Sequence, residues 1–455
     1  MAMRDLLKNL PEVRAPTEKK VSFNVKLKWT LVILVGYFIL ANIPLFGITE
    51  GSLSRFEYLA ILLGTSFGSI ISLGIGPIVM SSIILQLLSG AQIINIDQTT
   101  DEGKRFFQGM QKLLAFAFVI FEAMVYVLMK GIAAEPGFTG LVITQLCIGG
   151  FLIIFMDEVI QKWGFGSGVS LFIAAGIGWR LFAQLFQFVG PQGTLEASGK
   201  VFAIVASVII GDGVGVAQAF FPILITALLF LAVVFSQSLK VEIPLAFDRI
   251  RGHSMKWPLQ FFYAGVIPVI LVSALAANLQ LFGSLLQNWL GHATFLGGFS
   301  EGGQAVSGLS FWIGSTPLLQ EIITGSFRWV YAAQAFFHVL FYALFSILFA
   351  FFWVGTSGMD ARSQAKKIVS SGMSMPGFRK DERVLEVILK RYVGPLTIMG
   401  GAAVGILASV ANLLGALVGG TAILLAVMII YQLYQNIAQQ HAVDMNPALK
   451  GFFGA

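Results

Sequence analysis

The sequence predicts an all-α polytopic membrane protein, with ten transmembrane helices arranged as two inverted five-helix halves. Three observations carry this expectation: an apolar composition, a one-sided distribution of lysine and arginine, and a weak internal repeat. Of 455 residues, 56% are hydrophobic and only 11% charged, with a mean hydropathy of +0.83. A soluble domain carries about 25% charge, and a helix that crosses a bilayer needs about 20 apolar residues in succession. Long apolar runs also set the chain apart from a β-barrel, whose strands alternate over about ten residues.

Ten spans are expected at roughly 27–46, 73–88, 107–129, 138–160, 167–188, 216–239, 258–283, 328–354, 393–415 and 421–438. The polar start, MAMRDLLKNLPEVRAPTEKK, lacks the apolar core and small-residue cleavage site of a secretory signal peptide. Cys147 is the single cysteine, so no intrachain disulfide is possible. It reads as a small packing residue within a span.

The cations then orient the spans. Only Arg55, Lys130, Arg180, Lys200 and Arg328 fall on one side of this ten-span arrangement; the other 24 of the 29 Lys and Arg fall on the opposite side. The positive-inside rule places that richer side, with both termini, in the cytoplasm. Dropping one span would scramble the split.

A repeat supports two halves. Gly74-Ile-Gly-Pro77-Ile-Val79 resembles Gly265-Val-Ile-Pro268-Val-Ile270, and Gly168-Val-Ser-Leu-Phe-Ile173-Ala resembles Gly420-Thr-Ala-Ile-Leu-Leu425-Ala. The first pair opens spans 2 and 7, the second spans 5 and 10. An odd number of spans per half forces opposite topology, as in transport folds whose functional path lies between the halves. The halves are read as 1–215 and 216–455. Ile75 and Val79 share a helix face, as do Val169 and Ile173, and Ile267 and Ile270. Periodicity alone does not separate these from other Ile and Val.

Residues 53–72 do not read as a span. LSRFEYLAILLG at 53–64 makes about three helical turns, roughly 18 Å against a ~30 Å hydrocarbon core. It carries Arg55 and Glu57 near its start and runs into Gly64, Gly68, Gly74 and Gly76. Either it lies in a protein-lined cavity on the external side, where irregular backbone is tolerated, or it lies flat on the outer leaflet.

Ionisable groups inside the spans are few. Glu122 in span 3 belongs to a gate or cavity, or to an interhelical hydrogen bond; His338 in span 8 reads as a packing residue; Asp157 and Glu158 lie near the cytoplasmic end of span 4. No H-E-x-x-H motif or nucleophile constellation is present, and Gly164-Phe-Gly-Ser-Gly168 lacks the Gly-Lys-Ser/Thr ending of a phosphate loop. The chain is not read as an enzyme, and nothing in it calls for a cofactor or a metal. A secondary transporter of a small solute stays open as the alternative, although it predicts more midplane carboxylates. The cytoplasmic loops 240–257 and 355–392 are basic and suit phosphate backbones or anionic lipid.

The chain resembles the SecY family of protein-conducting channels, in its archaeal branch. The resemblance is carried by LGIGPIV at 73–79, Glu158 through GSG at 166–168, LFIAAG at 171–176, IPLAFDRIRG at 243–252, IPVIL at 267–271, GFRK at 377–380 and GGTAILL at 419–425. It implies a pore that passes unfolded secretory chains and releases signal or transmembrane segments sideways, between spans 2/3 and 7/8. It implies a ring of Ile75, Val79, Val169, Ile173, Ile270 and Leu425, with Ile267 adjacent. It implies a plug of about 53–64, with Leu53, Arg55, Phe56, Leu59, Ile61, Leu62, Leu63 and Gly64. It implies a lateral gate at Glu122 and Asn278, with Met80 where relatives often carry a polar residue. Arg249, Arg251, Arg379 and Lys380 would face a ribosome. A SecE-type subunit, a small Sec-beta subunit, signal peptides, nascent chains and membrane lipid are the implied partners, at the plasma membrane.

Overall fold

The computed structural model describes residues 10–17, 21–49, 68–90, 93–94, 100–129, 132–187, 199–247, 254–300, 304–370, 373–374 and 381–445. In chain order its helices are α1 (Phe23–Ala41), α2 (Gly76–Gly90), α3 (Asp101–Leu128), α4 (Thr139–Trp163), α5 (Gly168–Phe186), α6 (Lys200–Ile210), α7 (Gly213–Ser238), α8 (Ile267–Leu290), α9 (Gly308–Ile313), α10 (Leu318–Thr324), α11 (Trp329–Thr356), α12 (Ala361–Ser370), α13 (Glu382–Leu413) and α14 (Gly420–Met445). Among the described residues nine helices are long and apolar enough to cross a bilayer. The tenth expected span is α2, which has only 15 residues, about 22 Å of helix.

The shortness of α2 has a cause in the residues before it. Residues 68–75 are not helical, yet Ile71, Ser72 and Leu73 are fully buried. Buried backbone must find partners, and it does. The Gly68 carbonyl accepts from Leu45 N–H at 2.8 Å, and Ile70 N–H donates to the Ile43 carbonyl at 3.0 Å. Ser72 Oγ accepts from Gly68 N–H at 2.9 Å. The segment lies against α4, where two glycines make room. A β-carbon on Gly149 would overlap the Ile70 carbonyl, and one on Gly150 would stand 2.7 Å from Val119 Cγ1.

The repeat appears in the backbone. Gly74 (φ +54°) and Gly265 (φ +67°) both adopt the left-handed conformation, which favours glycine. Each is followed two residues later by a helix, α2 or α8, with Pro77 or Pro268 in its first turn, where a missing N–H costs nothing. Gly168 and Gly420 each open a helix, α5 and α14, and each is wedged against the helix of the preceding span. The expected boundary at 215/216 falls in the first turn of α7.

One span begins later than its hydropathy predicts. Residues 258–266 were expected in span 7. They belong instead to strand β2 and the turn after it. Strand β1 (Lys240–Phe247) pairs antiparallel with β2 (Ser254–Gln260), from Lys240 opposite Gln260 to Ala246 opposite Ser254. Trp257, Leu259, Phe261 and Phe262 are as apolar as a span, so hydropathy alone does not show the change; the strand pairing and Gly265 decide it. The connection after α8 holds β3 (Gly298–Phe299) and β4 (Ala305–Ser307) before α9. A further short strand, β5 (Met373–Ser374), adds to the free edge of β1. The three-stranded sheet therefore joins the two basic loops. It covers a second apolar core in which Ile243, Leu259, Ile368, Leu385 and Leu389 are buried. Tyr263 Oη donates to the Met359 carbonyl at 2.5 Å, and burial raises its phenol above the usual range.

At the same end of the molecule, the N-terminal segment is strapped over α3 and α4. Lys112 Nζ reaches the Pro11 carbonyl at 2.6 Å and Glu158 at 2.7 Å. Lys162 pairs with Glu12 at 2.5 Å and Glu158 at 2.9 Å, and Trp163 Nε1 donates to the Arg14 carbonyl at 2.9 Å. The Lys162 ammonium holds the Glu12 carboxyl below the usual carboxylate range.

Candidate functional site

Four helices, two from each half, bring the seven ring candidates together. Ile75 immediately precedes α2 and Val79 lies in its first turn; Val169 and Ile173 lie at the start of α5; Ile267 and Ile270 open α8; Leu425 lies in the second turn of α14. α2 packs on α8, α8 on α14, and α14 on α5. Ile75, Val79, Ile173, Ile270 and Leu425 are buried in one continuous apolar cluster, and Val169 and Ile267 pack against it half-buried. All seven side chains are aliphatic. Side chains of this kind would give an ion nothing in exchange for its hydration shell.

The gate candidates lie on α2, α3 and α8, and the seam between the halves is formed here by the meeting of α2 with α8 and α11. α2 packs on α3 and, across the seam, on α8 and α11. Glu122 of α3 is 1% exposed and Asn278 of α8 is 2% exposed, so the two are equally withdrawn from the surface. Met80 of α2 is half-buried. Asn278 Nδ2 donates to the Ala274 carbonyl of its own helix at 2.8 Å. Its Oδ1 and both Glu122 carboxyl oxygens have no partner among the described residues. Glu122 and Asn278 are therefore not bonded to each other across the seam.

Sequence reasoning missed Gln86. It is buried on α2, its Nε2 donates to Ser82 Oγ at 3.0 Å, and its Oε1 has no partner among the described residues. A glutamine in an apolar run was a visible signal. His338, read as a packing residue, is buried on α11 with Nδ1 2.5 Å from the Ile313 carbonyl, which fastens α9 to that helix. Among the described residues no cluster of three His, Cys, Asp or Glu side chains could hold a metal. The expected plug at 53–64 and the loop cations Arg249, Arg251, Arg379 and Lys380 lie outside the described residues.

Comparison with known proteins then decides the family. The SecY family model matches residues 69–434. The chain belongs to the SecY family. It is 44% identical over 451 residues to the protein translocase subunit SecY of Methanothermobacter thermautotrophicus, covering 98% of this chain and 97% of that one. Among solved structures, it is similar to a protein-conducting channel with a TM-score of 0.82 and 37% identity, over 98% of both chains. It is also similar to Sec61 in the canine ribosome–channel complex from the endoplasmic reticulum, with a TM-score of 0.79 and 37% identity, over 98% of both chains. These names are those of a translocase subunit and of channels, and they give the small-solute transporter no support. The mostly helical SecY fold accounts for the spans, and its sheet and strap lie outside them.

Proposed function

We infer that this chain, as a SecY-family translocase subunit, passes unfolded polypeptides between its two halves, through the ring of Ile75, Val79, Val169, Ile173, Ile267, Ile270 and Leu425. What supports this reading is the meeting of aliphatic side chains from both halves in one cluster, in a chain whose relatives are channels. An aliphatic ring forms no sequence-specific contact, so it accepts arbitrary side chains in passage. It closes by dewetting when nothing occupies it.

The seam between α2/α3 and α8/α11 is the sideways exit. A signal peptide brings an apolar segment of about 7–15 residues, and parting the seam exposes that segment to lipid. The unpaired polar atoms of Glu122, Asn278 and Gln86 hold the seam weakly, because each buried unpaired group costs about 1–3 kcal/mol in the closed state. The stretch 53–64 acts as the plug. The halves 1–215 and 216–455 move as the two sides of the conduit. The sheet-linked loops face a ribosome through Arg249, Arg251, Arg379 and Lys380, since RNA phosphates attract such cations. SecE-type and Sec-beta subunits complete the assembly at the plasma membrane, with both termini cytoplasmic by the positive-inside rule.

The test is disulfide trapping. Cys147 is replaced by Ser, a single cysteine is placed at Ile173, and a stalled secretory chain carrying its own cysteine is oxidised in place. A bond at 173 and none at exposed Leu231 is the expected result. A chain that stays membrane-bound without forming the bond overturns the conduit.

A further inference from the structure

We propose that Asp157 and Asn412 are paired positioning residues, one in each half, that set the depth of the ring residues on α5 and α14, two of the four ring-bearing helices, by capping each from a neighbouring helix. The inference rests on the conduit reading and adds to it the device that holds the ring in place.

An α-helix leaves its first N–H groups unbonded, and a local Ser, Thr, Asp or Asn usually serves them. At α5 the residue placed to do so, Ser167, makes no side-chain cap. The acceptor comes instead from α4: Asp157 Oδ1 takes the Val169 N–H at 2.9 Å. Its second oxygen takes Gln161 Nε2 at 2.7 Å, which fixes the carboxylate. Asp157 is 6% exposed, so the carboxylate is largely withdrawn from water.

The other half repeats the arrangement. The acceptor at the start of α14 comes from the end of α13: Asn412 Oδ1 takes the Thr421 N–H at 2.8 Å. Asn412 Nδ2 donates to Thr421 Oγ1 at 2.5 Å. In both halves the helix of one span caps the next, and the capped N–H belongs to the second residue of the new helix. In both, a glycine beside that residue admits the capping helix. A β-carbon on Gly168 would stand 2.6 Å from Asp157 Cα, and one on Gly420 would collide with the Ala411 backbone.

A cap within the same strand of sequence stiffens a helix without saying where it stands. A cap delivered by a second helix does both, because sliding one helix along the other breaks the bond. The residues held this way are ring residues or lie one turn from them. Val169 itself donates to Asp157, Ile173 follows at i+4, and Leu425 follows Thr421 at i+4, on the same helix face. Each half thus enters the ring on a fixed first turn. The C-terminal half does this with a neutral amide, so an acceptor oxygen suffices and charge is not required.

The experiment measures ion conductance of the closed channel, as the complete complex in planar bilayers, for D157A, D157N, N412A and the ring variant I173S, with the folded fraction of each read by thermal unfolding. D157A and N412A should raise the leak about tenfold, in the range of closed–open shifts expected when a cap is lost. D157N, which keeps the acceptor, should stay within about twofold of the parent. D157A and N412A should also pass a reporter with a weakened signal sequence more readily than D157N, a readout that simple loss of folded protein would lower. A leaky I173S beside silent D157A and N412A overturns the positioning role and leaves the conduit standing. Equal leaks from D157A and D157N overturn it as well, since an acceptor would then not be what matters. A silent I173S overturns the conduit reading, and the positioning role falls with it.

Discussion

A β-carbon on Gly76 would stand 3.1 Å from Oε2 of Glu122, so the carboxyl group of α3 rests directly on the first residue of α2. The contact crosses between the two helices that form one side of the seam. It also places Glu122 beside Ile75, the ring residue next to Gly76. The gate candidate Glu122 and the ring candidate Ile75 thus come close at Gly76.

That contact gives the first prediction. Glu122→Gln replaces a buried carboxyl group, unpartnered among the described residues, with an amide that cannot ionise, which eases burial and favours the closed seam. Gly76→Ala forces the carboxyl group away by a few tenths of an ångström and favours opening. Translocation of a reporter with a weakened signal sequence should fall about threefold in the first variant and rise about threefold in the second, in line with shifts below ~1 kcal/mol. Identical stringency in both would remove Glu122 from the gate.

The second concerns the irregular segment at 68–75. Gly149→Ala drives a methyl group into the Ile70 carbonyl, and overpacking of this kind costs about 1–3 kcal/mol. The midpoint of thermal unfolding in detergent should drop by several degrees. Gly178 on α5 has open space around its missing side chain, so Gly178→Ala should hold or raise the midpoint through helix propensity. Equal midpoints for the two variants would mean that the glycine groove of α4 does not hold the segment.

The third concerns the basic loops. Arg379→Glu reverses a charge in the loop that β5 joins to the β1–β2 hairpin. Ribosome binding at physiological salt should weaken about tenfold, and the loss should shrink as salt screens the contact. Closed-channel conductance should not change. Undiminished binding would leave the loop with a topological role only.

How much of this was legible in the residues differs from one element to the next. Glycine and proline at 74–77 and 265–268 mark the starts of α2 and α8, because their backbone limits act locally. Glu122 and Asn278 stand out as polar groups in apolar runs. Asp157 was visible as a carboxylate near the end of span 4, but its partner Val169 was not, since Gln161 and Lys162 are nearer in sequence. Gly149 and Gly150 look like ordinary helix glycines until Ile70 and Val119 are seen against them.

The sequence by itself determined the all-α, many-span architecture, the one-sided distribution of the cations along it, the repeat and the aliphatic character of the ring candidates. Hydropathy, charge and motif spacing act over a few residues at a time, so they can be read along the chain. Only the tertiary structure decided that 258–266, apolar enough to read as the start of a span, is strand and turn, that β5 ties the two basic loops together, and which Ile and Val share one apolar cluster. It also decided that α5 and α14 take their first-turn caps from Asp157 and Asn412. Each of these depends on which groups of distant or neighbouring helices come within hydrogen-bonding or van der Waals reach, and that proximity is set by packing rather than by order in the chain.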